Sequence, residues 1–208
     1  MTTHQDYLPA MAQRSLRFYD PLSKLMGAKD AQWQLVAQAA IEPGSAVVEI
    51  GCGTGNVLLL AKRAVPTATV IGLDPDPEAL ALARRKAARA GLEIRLDRGY
   101  AGQLPYADGS VDRVLSSFML HHLPGGQKLE ALREVRRVLA PGGSLHVLDF
   151  DHQEPAPLRK LVKRGHGHGH AAAASALGLM AEAGLVDAAE VARGKSRLGG
   201  SAYYRASR

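Results

Sequence analysis

The run Val47-Val48-Glu49-Ile50-Gly51-Cys52-Gly53-Thr54-Gly55-Asn56 constrains this chain more than any other stretch. Strand-forming residues lead into a loop with glycine at every second position, and a helix-compatible run, Val57 to Val65, follows at once. Glycine permits positive φ and a close approach of ligand to the main chain, and a helix start offers unpaired N–H groups. The pattern predicts a buried strand, a ligand-binding loop and a helix.

The spacing argues against a dinucleotide. Its fingerprint, Gly-x-Gly-x-x-Gly/Ala, places Asn56 or Leu58 in the last position, depending on which glycine starts the count. Glu49 would also set a carboxylate beside a pyrophosphate, whereas an ammonium-bearing ligand would be attracted to it. Thr69-Val70-Ile71-Gly72-Leu73-Asp74 reads as the second strand and ends in an acid that can accept both hydroxyls of a ribose. An ammonium at one end and a ribose at the other describe S-adenosylmethionine.

Further motifs follow in order: Leu104-Pro105-Tyr106-Ala107-Asp108-Gly109-Ser110-Val111-Asp112, then Leu120-His121-His122-Leu123, then Pro141-Gly142-Gly143. With the glycine loop and Asp74, they resemble the class I S-adenosylmethionine-dependent methyltransferases, and within them the type-11 domain group that includes the ubiquinone/menaquinone biosynthesis C-methyltransferases. The likeness spans about residues 40–150. It implies a Rossmann-like, doubly wound α/β fold with seven strands, mostly parallel, closed by an antiparallel C-terminal hairpin and covered by helices on both faces. It implies S-adenosyl-L-methionine as cofactor, S-adenosyl-L-homocysteine as product and a small-molecule methyl acceptor. Residues 30–208 would form the methyltransferase domain, and residues 1–29, interrupted at Pro21, a helical cap over the cleft.

The expected cofactor contacts are Glu49 at the ammonium, the loop residues Gly51, Cys52, Gly53 and Gly55, and Asp74 at the ribose. By resemblance, Tyr19 of Tyr19-Asp20 lies close to the cofactor and Pro75 beside the adenine. The family usually has Gly-Asp-Ala after the third strand, with the acid on the adenine amino group. Here the residues are Gly99-Tyr100-Ala101, so the base would be held by the Ala101 backbone and by stacking, with somewhat weaker affinity. Ligands of open α/β sheets bind beyond the carboxyl ends of the strands, which places Ser116 and Ser117 at the methionine end. His121 is the candidate base, since imidazole titrates near neutrality. The acids Asp149 and Asp151, at the end of the fifth strand, are alternatives. Because adjacent residues do not share a helix face, only one of His121 and His122 is expected in the cleft.

At 208 residues the chain can bury one substantial core, and its lone cysteine excludes an intrachain disulfide. No apolar run approaches the about 18 residues that a membrane span needs, and the N-terminus carries no signal-like segment. A cytoplasmic protein is expected, with no integral membrane segment and an undetermined oligomeric state. The net charge of +6 raises the question of nucleic acid, but the basic residues are dispersed, which disfavours it.

Asp30 is read as the N-cap of a helix over 30–40, with Trp33 as a packing anchor, and Asp76-Pro77 as the start of another helix that stops at Gly91. Leu129 to Leu139 is read as an amphipathic helix whose Glu130, Arg133, Glu134 and Arg137 face solvent. The Gly165-His166-Gly167-His168-Gly169-His170 alternation lies in the linker-like stretch 153–170; a lid, a metal site and a plain loop all remain open, and no metal is assigned. The absence of an Asn/Asp/Ser-Pro-Pro-aromatic motif at Ser116-Ser117-Phe118-Met119 disfavours base-amino methylation, and thiol-dependent methylations lack their cysteines. A C-, O- or N-acceptor of modest size remains, quinone-like, lipophilic or polar. A non-catalytic cofactor-binding or partner subunit and an RNA-directed methyltransferase stay open as alternatives.

Overall fold

The computed structural model describes residues 28–151, 176–196 and 199–208. Tyr19, nearly all of the 1–29 cap and the 153–170 stretch with its Gly-His run lie outside the described residues. A first helix, α1 (Ala28–Gln38), precedes β1 (Ala46–Ile50), α2 (Asn56–Ala64), β2 (Thr69–Asp74), α3 (Pro77–Ala90) and β3 (Arg95–Arg98). Then come β4 (Val111–Ser117), a 3-10 turn (Leu120–His122), α4 (Gly125–Val138), β5 (Leu139–Phe150), α5 (Ala176–Glu182), β6 (Val186–Ser196) and β7 (Gly199–Ser207).

The strands form one sheet in the order β3-β2-β1-β4-β5-β7-β6. The β1–β2, β1–β4, β2–β3 and β4–β5 pairs are parallel, whereas β7 runs antiparallel to both β5 and β6. Successive strands step outward from β1 through β2 to β3, and the chain then returns to the other side of β1 as β4. The order therefore reverses between β1 and β4, and the crevice of an open α/β sheet lies beyond the carboxyl ends of those two strands.

Near-continuous apolar strands such as Val47-Val48 and Val70-Ile71 suit a sheet covered on both faces. One face packs Val48, Ile50, Ile71, Val114, Leu145 and Val147 against Leu132, Val135 and Val138 of α4 and Met180 of α5. The other packs Val47, Val70, Leu115, Leu148 and Tyr203 against side chains of α1, α2 and α3. The Asp76 carboxylate accepts from the N–H groups of Glu78 and Ala79 at the start of α3, and Gly91 closes that helix in the left-handed conformation, as expected.

Several expectations need correction. Asp30 lies inside the first turn of α1, not at its N-cap. Trp33 is 40% exposed and therefore does not anchor that helix. Pro141-Gly142-Gly143 reads in the sequence as the turn into a fifth strand over 144–149, but β5 begins before it: Val111 pairs with Leu139 and Arg113 with Ser144, so residues 140–143 bulge out of the ladder. A Cβ on Gly143 would lie 2.9 Å from the Ala140 carbonyl oxygen, which explains the glycine there.

Glu134 and Arg137 of α4 do more than face solvent. The Arg137 guanidinium donates to both Glu134 oxygens, to Asp108 Oδ1 and to the carbonyls of Tyr106 and Leu104. Glu134 Oε2 in turn accepts from Leu104 N–H at 2.8 Å. The pair staples the 104–109 segment to α4.

Candidate cofactor and acceptor site

The loop leaving β1 holds Gly51, Gly53 and Gly55 at φ 66, 50 and 78, conformations that exclude most side chains. The three glycines serve different purposes. A Cβ on Gly51 would lie 2.2 Å from Met119 Cγ, and one on Gly55 would lie 2.9 Å from Ala83 Cβ of α3, but Gly53 has nothing within 4 Å. Sequence reasoning assigned all three to the ligand. Only Gly53 faces open space; Gly51 makes room for Met119 and Gly55 for α3. The Cys52 side chain is buried against β2, with Sγ 2.8 Å from where a Gly72 Cβ would stand. Burial, then Glu49 and Asp74, push its thiol well above the ordinary range, so it is a poor nucleophile.

Beneath the loop, the Glu49 side chain is buried. It accepts a hydrogen bond from the backbone N–H of Leu58 in the first turn of α2, while Oε2 has no partner among the described residues. Burial, and secondarily Asp74, push this carboxyl well above the usual range; Leu58 N–H and Lys86 pull the other way. Asp74 is likewise raised by burial. Its Oδ2 accepts from Gly53 N–H at 2.8 Å and its Oδ1 from Asp76 N–H at 2.9 Å. Each oxygen keeps lone-pair capacity for a diol. The acid also ties the glycine loop to the start of α3, a role that spacing did not reveal.

Pro75 offers its carbonyl to Arg98 Nε at 3.2 Å. After β3, Gly99 N–H donates to the Asp74 carbonyl, Tyr100 bridges to Gln103, and Ala101 packs onto the apolar cluster below. At the end of β4, Ser116 Oγ and Ser117 Oγ are buried without partners among the described residues.

The acceptor side is built where β4 and β5 end. Phe118 has φ 53, a strained value for a non-glycine residue, and its N–H donates to the Leu148 carbonyl at 2.7 Å. Its ring lies 4.8 Å from that of Phe150. In the following 3-10 turn, His121 meets Asp149 of β5 twice: its backbone N–H donates to Oδ2 at 2.9 Å, and Nδ1 lies 2.6 Å from Oδ1. The carboxylate thus selects the tautomer protonated on Nδ1 and leaves the Nε2 lone pair available. Sequence reasoning offered His121 and Asp149 as rival bases, but the fold makes them a pair. In this 3-10 turn the His121 and His122 rings are 3.9 Å apart, with His122 exposed and His121 half-buried against Asp149. The His121 ring also meets Phe150 edge-on at 4.9 Å. Phe118, Met119 and Phe150 had no signal in the sequence beyond their position near strand ends.

A reversal of strand order over a glycine loop, with acids near the ends of β1 and β2, is the arrangement of an open, doubly wound α/β domain with its ligand crevice at that point. The family model described as a methyltransferase domain matches residues 47–143. A demethylmenaquinone methyltransferase of Thermus thermophilus is 40% identical over 135 residues, covering 64% of this chain and 60% of that protein. A ubiquinone/menaquinone biosynthesis C-methyltransferase of Bdellovibrio bacteriovorus is 36% identical over 117 residues, covering 56% of this chain and 49% of the other. The chain therefore spans less than two thirds of the length of these relatives. A crystal structure of a SAM-dependent methyltransferase from Aquifex aeolicus shares the fold, with a TM-score of 0.68 at 19% identity over 94% of this chain and 98% of that one.

The residues present fit S-adenosylmethionine. The orphaned buried Glu49 Oε2 matches an ammonium, the remaining lone pairs of Asp74 match a ribose diol, and the open side of Gly53 admits a ligand against the main chain.

Proposed function

We propose that this protein transfers a methyl group from S-adenosylmethionine to a small-molecule acceptor. The observation that carries this reading is the buried, unpartnered Glu49 Oε2 on the strand that leads into the glycine loop, where Gly53 faces open space. A buried carboxyl oxygen without a partner is costly, and a ligand ammonium removes that cost. In this reading Glu49 and Asp74 hold the two polar ends of the cofactor, the Ser116 and Ser117 hydroxyls border its methionine end, and the Tyr100–Ala101 turn borders the base. The names of the similar relatives favour a quinone-related aromatic acceptor methylated at carbon. The location proposed is the cytoplasm; among the described residues no helix is long and apolar enough to cross a membrane.

The bound cofactor supplies an electrophilic methyl group on a sulfonium, so the chain's own task is alignment, exclusion of water and proton handling. His121, held by Asp149 through Nδ1, takes the acceptor proton on Nε2, and Asp149 stabilises the imidazolium that forms. Phe118 and Phe150 provide the apolar wall beside it.

Calorimetric titration with S-adenosylhomocysteine tests the cofactor assignment. The native chain is expected to bind, and Asp74→Asn to lose about 2 kcal/mol of affinity, since the amide cannot accept at both positions. A folded native chain that shows no binding at near-millimolar ligand overturns the reading. His121→Asn tests the acceptor side, with an expected rate loss of about 100-fold or more and unchanged cofactor affinity.

A further inference from the structure

Met119 stands between the cofactor side and the acceptor side of the site. Its side chain is seated on the glycine loop: a Cβ on Gly51 would lie 2.2 Å from Met119 Cγ, 2.9 Å from its Cβ and 3.5 Å from its Sδ. That seat is fixed from β2, whose Leu73 carbonyl accepts from Gly51 N–H at 2.8 Å and from Cys52 N–H at 3.0 Å. Glu49, with its orphaned Oε2, lies two residues before Gly51. The Ser116 and Ser117 hydroxyls, buried and unpartnered among the described residues, end the strand that leads to Met119. On the other side, the Met119 carbonyl accepts from His122 N–H at 3.0 Å and begins the 3-10 turn that brings His121 to Asp149.

The backbone is strained just before this point. Phe118 has φ 53, a conformation that a non-glycine residue keeps only where its surroundings hold it. Phe118 then packs against the apolar cluster on one face of the sheet and Met119 against the cluster on the other. Met119 nevertheless stays half-buried, so part of its side chain remains uncovered. A methyl group in transfer must lie between the cofactor's amino-acid end, near Glu49, and His121, the base for the acceptor. The reacting atoms have to be held within about 3–3.5 Å of each other there. Met119 spans that interval. A thioether suits the position, because it is polarizable and adaptable but uncharged, and so lies against a sulfonium without drawing the ligand ammonium from Glu49.

We propose that Met119 is a further cofactor-binding residue, whose thioether forms the apolar wall for the sulfur end of S-adenosylmethionine where it meets the acceptor. The proposal rests on the cofactor reading above. It also gives the missing side chain of Gly51 a use in the site: the space that a Cβ would fill is where this wall is seated.

The test is S-adenosylhomocysteine titration of the chain carrying isotope-labelled methionine methyl groups, followed by NMR. Calorimetry on the native chain, Met119→Leu and Met119→Ala accompanies it, with thermal melts to establish folding. Met119→Leu removes one of the five methionine signals and so assigns it. Met180, fully buried on α5, is the internal control. The Met119 methyl signal is expected to move as ligand is added, and to show nuclear Overhauser contacts to the ligand methylenes beside sulfur, while the Met180 signal stays in place. Met119→Ala should weaken binding about tenfold. Met119→Leu keeps an apolar side chain of similar volume and should bind within about threefold of the native chain. A native chain that binds the ligand while its Met119 methyl shows no contact to it overturns the proposal, and so does a folded Met119→Ala with native affinity. The methyl contacts are read on the native chain, so they decide the matter even if Met119→Ala does not fold. A folded native chain that binds no ligand at near-millimolar concentration overturns the cofactor reading itself, and the proposal with it.

Discussion

At the residue scale, the three loop glycines look equivalent in sequence and are not. Gly51→Ala is expected to cost about 2–4 kcal/mol of stability, because its methyl would overlap Met119 Cγ and the φ of 66 is unfavourable for alanine. Gly53→Ala carries only the backbone strain, about 1 kcal/mol, and should instead weaken S-adenosylhomocysteine binding by crowding the open face. Urea unfolding and calorimetry on both variants check the contrast, and equal stability losses would contradict it. Asp149→Asn should lower turnover about as far as His121→Asn, because an amide can present its N–H to Nδ1 and stabilise the wrong tautomer. Its cofactor affinity should stay native.

At the element scale, α4 grips the 104–109 segment through Arg137 and Glu134. Arg137→Met removes donors to two carbonyls and two carboxylates, with an expected loss of about 2–3 kcal/mol read from the urea midpoint. The neighbouring guanidinium holds the Glu134 carboxyl below its usual range. That part of the stabilisation is present above the ordinary carboxylate value and is lost as pH falls through the lowered one. The deficit of Arg137→Met relative to the native chain should therefore shrink in acid. The caps of α3 were legible from Asp76, Pro77 and Gly91 alone, because they depend on a few successive residues. The 140–143 bulge was not, because it is set by which residues of β4 pair across it.

At the scale of the whole molecule, the carboxyl ends of the parallel strands carry the site, and a different titrating group lies away from it. His146 of β5 is buried, with Nε2 2.9 Å from Ser144 Oγ. Burial, then Arg205 and Arg113, lower its pKa to about 4. The unfolded chain takes up this proton near pH 6.5 and the folded one only near pH 4, so this histidine makes stability fall as pH drops between those values. Glu49 and Asp74, both raised in the folded state, act in the opposite sense. A comparison of native and His146→Gln chains at pH 7 and 5 isolates the effect. The native chain should lose more stability than the variant, by on the order of 1–2 kcal/mol. Of the net charge of +6, several members are locally engaged: Arg95 with Asp97, Arg137 with Glu134 and Asp108, and Arg193 with Glu190 and Asp151. These pairs weigh against an RNA-directed reading, because engaged guanidiniums release fewer counterions on a phosphate backbone.

The sequence by itself determined the strand–loop–helix unit, the acids at 49 and 74 and the caps of α3, while the seven-stranded sheet came only as what the resemblance of its motifs implies. These depend on local conformation and on spacing along a single strand or turn. Only the tertiary structure decided that Gly51 and Gly55 make room for packing, that His121 and Asp149 form one pair and that Lys86 reaches from α3 to Thr54 and Asn56. Those relations join residues 28 or more positions apart on different elements. They follow from how closely α3 and β5 approach the loop and the 3-10 turn, and no local pattern encodes that distance.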